Sequence, residues 1–271
     1  MIDSVDRQKF AEDGFLVIEA VVPEPLCSAV RQNICDFLNI REFEPDDWRN
    51  SSVQAHGIVP IHHPQSLWNI RQLPSVYRVF AELHGTGALW VSIDRASFKP
   101  PSDTFDKRLS TDPIHWDGDP GIRGKLSTQG LVYLTDTEPE QGGFCCVPDL
   151  YRQLDDWLPE HGNEVRRRKP DVHDYEIVKV GAPAGSLLVW NRLLPHSSAR
   201  NESNLPRWAQ YITMDPAGAS SAQETLANLY REKRPPDWAV RQRIANQQIP
   251  EMGEPAELTE LGQRLTGIRS W

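Results

Sequence analysis

Two histidines and an aspartate have the residue types and spacing of a metal site. His115 and Asp117 are two residues apart, so on an extended backbone both side chains project to the same side. Taken alone, a His-x-Asp pair is a weak signal, but a further histidine, His196, follows much later in the chain. Two imidazoles and one carboxylate on one face of a six-coordinate iron(II) leave three positions open, an arrangement that non-haem iron oxygenases use.

An arginine that follows the second histidine strengthens this interpretation. An apolar run that begins at Gly185 leads into a polar stretch at His196, and the next predicted strand begins with Arg207. A 2-oxo acid can chelate iron(II) through its keto oxygen and carboxylate, while oxygen takes the remaining position. Its far carboxylate then needs a fixed cation, and the planar fork of an arginine binds a carboxylate through two parallel hydrogen bonds.

The elements that must position these residues are short strands. Short apolar runs alternate with turn-like stretches across residues 88–214, which is typical of a sandwich or barrel. Most links are too short for a crossover helix between parallel strands. The fold is therefore predicted to be mainly β with flanking helices. The predicted strands lie within residues 88–93, 130–134, 143–147, 176–180, 186–190 and 207–212.

Helical patterns precede and follow these strands. Asp3 or Ser4 could cap a short helix that ends near Gly14, a strand is expected at 15–18, and apolar residues recur at helical spacing over 24–38. Two more helices are predicted in the tail, at 219–233 and 256–265, separated by a Pro-rich join. We expect one domain over 1–271, with a helical N-terminal flank (about 1–85), a β core (about 86–215) and a helical tail (about 216–271).

Three further stretches lie outside the predicted ligands and the apolar strands. Residues 41–70 have no period and are either a lid or substrate loop or a plain surface connection. His62 and His63 within them are interpreted as a loop pair and not as a second metal site. Residues 151–168 are predicted to be a helix and loop inserted in the sheet. The basic run at 166–169 is interpreted as a solvated patch.

Composition narrows the class of partner. The 271 residues carry a formal net charge of −9, so the basic surface that nucleic-acid binding needs is not expected. No run of 18 apolar residues indicates a membrane span, and the first residues are charged where a signal peptide would be apolar. We therefore expect a cytoplasmic protein with a small-molecule substrate, of unknown oligomeric state.

The four cysteines are predicted to be reduced and structural. Cys27 and Cys35 are eight residues apart. Cys145 and Cys146 are neighbours on a predicted strand, so their side chains should point to opposite faces and cannot easily share one metal ion.

The chain resembles the phytanoyl-CoA dioxygenase family of iron(II)- and 2-oxoglutarate-dependent oxygenases. The resemblance runs from about Phe10 to Tyr211 and is densest at 115–117 and 185–207; residues 11–18 and 134–143 also resemble family segments. It implies a double-stranded β-helix, the cupin-like jelly roll. It also implies roles for six residues: His115, Asp117 and His196 as iron ligands, Arg207 on the distal carboxylate of 2-oxoglutarate, Ser198 assisting it, and Tyr133 as a further co-substrate contact or a core residue.

The family activity consumes O2 and 2-oxoglutarate and releases succinate and CO2, so the resemblance implies hydroxylation of a small metabolite. Desaturation, epimerisation or cyclisation by the same chemistry remains an alternative, as does a non-catalytic jelly-roll binding protein. Asp117 favours oxygen insertion over halogenation, since relatives that transfer halide lack this carboxylate. Residues 147–152 depart from the usual Pro-Gly-Ser-His segment, which leaves substrate preference open.

Three more residues are candidates for substrate contact. Arg95 and Lys99 could meet an acidic substrate at the barrel mouth or form a solvated strand end. Trp116 lies between the two predicted ligands and should point away from them, so it could anchor the segment or contact substrate.

Overall fold

The computed structural model describes residues 2–51, 57–102, 113–122, 124 and 126–271. Its helices are α1 Ser4–Asp13, α2 Glu24–Leu38, α3 Pro45–Asn50, α4 Gln65–Arg71, α5 Pro74–His84, α6 Pro148–Arg152, α7 Leu154–Trp157, α8 Gly162–Arg167, α9 Ser220–Arg231, α10 Asp237–Arg241 and α11 Glu260–Leu265. Its strands are β1 Phe15–Ile18, β2 Ile58–Val59, β3 Leu89–Val91, β4 Ala96–Lys99, β5 Thr128–Tyr133, β6 Phe144–Cys146, β7 Val178–Val180, β8 Leu187–Asn191, β9 His196–Ser198, β10 Arg207–Tyr211 and β11 Met214–Pro216.

The strands form antiparallel sheets. The largest has six strands in the order β1-β8-β5-β10-β4-β2, the second has three in the order β7-β6-β9, and β11 pairs with β3. Strands that neighbour each other in space are mostly distant in sequence, because β8 inserts between β1 and β5 and β10 between β5 and β4. This order brings residues from both halves of the chain to one sheet face.

Apolar residues pack in three layers. One face of the six-stranded sheet, including Val132 and Val189, packs against helices α2, α4 and α5. Its other face, including Leu188, packs against Phe144 of the three-stranded sheet. The far side of the small sheet is covered by a third cluster, which contains Trp116 and residues of α6 and α7. The site must therefore lie where the gap between the two sheets opens.

The local predictions near the N-terminus are confirmed. Asp3 caps α1 by accepting a hydrogen bond from the Asp6 backbone N–H, and Gly14 ends the helix in the left-handed conformation, with φ of 78°. The strand at 15–18 and the helix at 24–38 have the predicted bounds. All six strands predicted between 88 and 214 are also present.

One alternative for residues 41–70, the plain surface connection, is wrong for the part that the structure describes. This segment contains α3, β2 and the start of α4, where Leu67, Trp68 and Ile70 are completely buried. The buried face makes it part of the core, and Ile58 of β2 also lines the cavity that contains the predicted metal ligands. His62 and His63 are a structural pair: His62 Nδ1 lies 3.1 Å from the Ile93 carbonyl and His63 Nε2 lies 3.0 Å from the Arg234 carbonyl.

The C-terminal tail is hydrogen-bonded to this core segment. The Glu251 carboxylate accepts hydrogen bonds from the backbone N–H groups of His62 and His63, at 2.6 and 2.9 Å. The Pro-rich join between the two predicted tail helices contains a short helix, α10. None of the helices that the structure describes has the length and apolar character needed to cross a membrane.

The cysteines are all free and buried. Cys145 packs in the cluster under α6 and α7, whereas Cys146 packs between the sheets, as the alternation of strand side chains predicts. Burial raises the pKa of Cys27 and of Cys35 to about 11, so these thiols stay protonated near neutral pH.

Gly185 is expected to be essential for stability. Its φ is 78°, and a Cβ at this position would lie 2.1 Å from the Val22 carbonyl oxygen. Gly185→Ala should lower the free energy of unfolding by about 2–4 kcal/mol, from backbone strain and the clash together. Gly85 is the matched control, because its φ is 65° and no atom lies within 4 Å of a Cβ there. Urea unfolding should show a cost of about 1 kcal/mol for Gly85→Ala; equal costs at the two sites would contradict the clash.

Candidate metal centre

The two histidines of the predicted site are brought together by an isolated antiparallel bridge. The His115 backbone N–H donates to the His196 carbonyl at 3.0 Å, and the reverse hydrogen bond is also 3.0 Å. Residues paired in this way present their side chains on the same face, and the two imidazole centroids are 5.1 Å apart. Asp117, two residues after His115, shares that face.

The three side chains converge on one point. Asp117 Oδ1 lies 3.6 Å from His115 Nε2, and Asp117 Oδ2 lies 3.5 Å from His196 Nε2. One ligand atom from each residue lies within 4.8 Å of the other two, and the described residues contain no other group of this kind. The distances between these ligand atoms leave room for a metal ion whose bonds to them are about 2.0–2.2 Å long.

Both imidazoles are oriented for metal binding by their second nitrogen. His115 Nδ1 lies 3.0 Å from the Pro113 carbonyl oxygen, and His196 Nδ1 lies 2.9 Å from the Leu194 carbonyl oxygen. A carbonyl can only accept, so each Nδ1 carries the proton and each Nε2 presents a lone pair. His196 is also buried against Phe144 and Trp190, which limits its rotation.

The Asp117 carboxylate is oriented by residues that the sequence analysis did not identify. Gln129 Nε2 donates to Asp117 Oδ2 at 2.5 Å, and Gln129 Oε1 accepts from Trp190 Nε1 at 3.1 Å. Arg168, from the basic run interpreted as a solvated patch, is exposed but donates to the Asp117 carbonyl at 2.8 Å. Partial desolvation raises the pKa of the Asp117 carboxyl, but the neighbouring imidazoles of His115 and His196 outweigh it and hold the pKa well below its ordinary value. The carboxylate is ionised and available as a ligand.

Gln129 is expected to act as a positioning residue for the metal ligand. Gln129→Leu removes the hydrogen bond to the Asp117 carboxylate and should weaken iron(II) affinity by about 10–100-fold, the usual cost of losing a partner of a metal ligand. Trp190→Phe removes only the outer hydrogen bond and should have a smaller effect. Titration of metal-free protein with iron(II) under argon measures both affinities. Equal affinities for Gln129→Leu and the wild type would contradict the role.

Arg207 lies on the six-stranded sheet, which faces the small sheet that carries His196, and two neighbouring side chains can help it bind an anion. Its side chain is buried, with Nε 3.1 Å from the Gly142 carbonyl and Nη2 3.3 Å from Ser198 Oγ. Lys99, opposite Arg207 in the sheet, places Nζ 3.1 Å from the same hydroxyl. The Arg207 Nη1 group is buried and has no hydrogen-bond partner among the described residues. An unpaired buried donor is costly, so this position suits an anionic ligand.

A cavity of about 800 Å³ connects the metal ligands with Arg207. Its volume is within the range of sites for small organic molecules. Several polar and aromatic side chains beyond the ligands form its wall, among them Ser92, Asp94, Arg95, Gln129, Trp190, Arg192, Tyr211, Asp215, Trp238 and Gln242. Trp238 and Gln242 come from the C-terminal tail, which the sequence analysis did not connect with the site.

Three candidates of the sequence analysis do not line the cavity. Trp116 is buried outside the cavity, and its Nε1 donates to the Leu193 carbonyl at 2.8 Å, which fits an anchor and not a substrate contact. The Tyr133 hydroxyl is used by the backbone: it donates to the Val180 carbonyl at 2.6 Å and accepts from the Phe144 N–H at 3.0 Å. Lys99 is completely buried beside Ser198, at the Arg207 end and not at the mouth.

Fold and site together define a class of protein. Antiparallel sheets that hold two histidines and an aspartate on one face, beside a buried arginine, are the arrangement of a non-haem iron oxygenase that uses a 2-oxo acid. Residues 10–209, well over half of the chain, match the model of the phytanoyl-CoA dioxygenase family. The chain belongs to this family, and with it to the iron- and 2-oxoglutarate-dependent oxidoreductases.

Individual relatives agree with this assignment. A Dictyostelium discoideum protein named as a phytanoyl-CoA dioxygenase is 27% identical over 258 residues, which cover 76% of this chain and 74% of the relative. The epimerase SnoN, solved with Fe3+, alpha ketoglutarate and nogalamycin RO, has a TM-score of 0.58 and 16% identity, with 94% of each chain covered. The alpha ketoglutarate-dependent carbocyclase SnoK from nogalamycin biosynthesis has a TM-score of 0.56 and 19% identity, covering 79% of this chain and 84% of SnoK. The two structural likenesses show a shared fold.

Proposed function

We propose that this protein hydroxylates a small organic metabolite, with conversion of 2-oxoglutarate and O2 to succinate and CO2. The observation that carries the proposal is one cavity that contains both the converging triad of His115, Asp117 and His196 and the buried, unpaired Nη1 of Arg207. The proposal includes a jelly-roll arrangement of the sheets, which the facing six- and three-stranded sheets support, and a single domain.

The residues present fit the metal and the co-substrate. His115, Asp117 and His196 would hold iron(II), which supplies the open coordination positions at which 2-oxoglutarate and oxygen react. Arg207 and Ser198 would bind the distal carboxylate of 2-oxoglutarate, with Lys99 adding positive charge beside the same hydroxyl. The buried Arg207 end excludes water from that ion pair and strengthens it. The cavity wall near Trp190 and Tyr211 would orient the substrate carbon toward the ligands.

Other outcomes of the same chemistry have some structural support. The solved structures of similar fold include an epimerase and a carbocyclase, so this scaffold is compatible with reactions other than hydroxylation. The position of the substrate carbon, which the cavity wall sets, would decide among hydroxylation, desaturation, epimerisation and cyclisation. The mass and stereochemistry of the product formed with each turnover distinguish them.

Anaerobic titration of metal-free protein with iron(II) and 2-oxoglutarate tests the proposal. A weak lilac charge-transfer band, absent with either component alone, is expected if the two share one site. Screening of metabolites for succinate release would then identify the substrate. Absence of the band, together with absence of 2-oxoglutarate binding by calorimetry, would overturn the proposal and favour a non-catalytic binding protein.

A further inference from the structure

A second buried arginine faces the cavity from the end opposite Arg207. The sheet register pairs Lys99 with Arg207, and the Tyr211 backbone N–H donates to the Arg95 carbonyl at 2.9 Å. Four residues along a strand correspond to roughly 13 Å, so the backbones of the two arginines lie about that far apart.

The Arg95 guanidinium has no hydrogen-bond partner within the described part of the chain. Its side chain is 9% exposed, and its Nε and Nη1 groups are buried without an acceptor. The nearest carboxylate oxygen, Asp94 Oδ1, lies 4.0 Å from Nε, beyond hydrogen-bond distance, and accepts instead from the Arg95 backbone N–H at 2.9 Å. Buried donors without partners cost free energy, which indicates that an oxyanion completes this position.

The Trp238 ring packs against the flat face of the Arg95 guanidinium. The Arg95 Cζ atom lies 4.9 Å from the centroid of the Trp238 ring. Contact with an aromatic ring occupies the face of the planar guanidinium and leaves its edge available. That edge presents two parallel N–H groups, which match the two oxygens of a carboxylate.

The charges on the cavity wall also favour an anion. Once Asp117 is assigned to the metal and Arg207 to the co-substrate, three basic and two acidic side chains remain on the wall. Basic side chains therefore outnumber acidic ones by one on this part of the wall. The basic side chains are Arg95, Lys169 and Arg192, and the acidic ones are Asp94 and Asp215.

We propose that Arg95, supported by Trp238, binds a carboxylate of the substrate, so that the substrate is a small organic acid. Its reacting carbon would lie between Arg95 and the triad of His115, Asp117 and His196. This inference rests on the proposed function, because it takes Arg207 to be occupied by 2-oxoglutarate. It also makes the C-terminal tail, which supplies Trp238, part of substrate recognition.

Matched ligand pairs test the inference. The protein loaded with iron(II) and 2-oxoglutarate under argon is titrated calorimetrically with benzoate, phenylpropanoate and octanoate, and with the primary amide of each. We expect at least one carboxylate to bind at least about tenfold more tightly than its amide. Arg95→Gln should abolish this preference while leaving 2-oxoglutarate affinity unchanged, and Trp238→Ala should reduce it.

Arg192→Gln is the matched control, because it removes the same charge from the same cavity wall. It should retain the preference for carboxylates. Arg95→Lys keeps the positive charge but lacks the planar edge, so it should lose most of the preference for carboxylates. This variant replaces Arg95→Gln in the test if Arg95→Gln does not fold. No preference in any pair, or a preference that survives Arg95→Gln, would overturn the inference. The charge-transfer band in the same wild-type samples separates the two proposals: its absence overturns the proposed function, whereas its presence without a carboxylate preference overturns only this inference.

Discussion

Asp117→Ala should abolish iron-dependent turnover while leaving the protein folded. The substitution removes one of three ligands and the only carboxylate among them, so activity should fall by at least about a thousandfold. About half of the Asp117 side chain is exposed, so the free energy of unfolding should change by no more than about 1 kcal/mol. Iron(II) titration, the charge-transfer band with 2-oxoglutarate, and thermal unfolding measure the three quantities.

Asp119→Ala is the matched control for Asp117→Ala. Asp119 is two residues further along and accepts a hydrogen bond from the Gly121 backbone N–H at 2.8 Å, but it is not one of the converging groups. Its loss removes the same charge and should leave iron binding intact. His115→Ala should resemble Asp117→Ala in every measurement. Full activity in either ligand variant would remove that residue from the ligand set.

Arg207→Gln should raise the requirement for 2-oxoglutarate by roughly 10–100-fold, because a hydrogen-bonded charged pair contributes about 1.5–3 kcal/mol. Iron(II) binding without 2-oxoglutarate should not change, since the triad does not contact this side chain. Arg207→Lys keeps the charge without the planar fork, and its KM for 2-oxoglutarate should lie between those of the wild type and Arg207→Gln. Steady-state succinate release as a function of 2-oxoglutarate concentration gives the KM values.

Arg200→Ala is the control for Arg207→Gln. Arg200 is the other arginine between the second histidine and the strand that begins with Arg207, and it does not line the cavity. An unchanged KM in Arg207→Gln with a raised KM in Arg200→Ala would transfer the role to Arg200. Because Arg207 is buried, thermal unfolding of each variant is needed to separate lost co-substrate binding from lost structure.

The clearest strands in the sequence are those with continuous apolar runs. β5 and β8 are buried on both faces, one against helices and one against the small sheet, so apolar residues are continuous over 131–133 and 187–190. β9, with the sequence His-Ser-Ser, has no such pattern. It is a strand because β6 pairs with it, and this long-range pairing leaves no local signal.

On the substrate side of the cavity too, the sequence indicates a residue type but not its surroundings in the fold. Arg95 is a candidate from sequence because of its charge, but the sequence leaves open a solvated strand end. Burial and the missing acceptor distinguish these alternatives, and both depend on the surrounding fold. Trp238 has no sequence signal at all, since it belongs to a five-residue helix in a Pro-rich stretch and reaches Arg95 only in the folded chain.

The His115–Asp117 pair and the capped first helix can be predicted from local sequence, because both depend on backbone geometry over a few residues. The apolar strands and, through the family resemblance, the class of chemistry can be predicted as well. Three contacts are visible only in the folded chain: His196 pairs directly with His115, Gln129 binds the Asp117 carboxylate, and Lys99 lies at the Arg207 end. These contacts depend on which strands pair and in which register, and that choice is set by packing across the whole core and not by neighbouring residues.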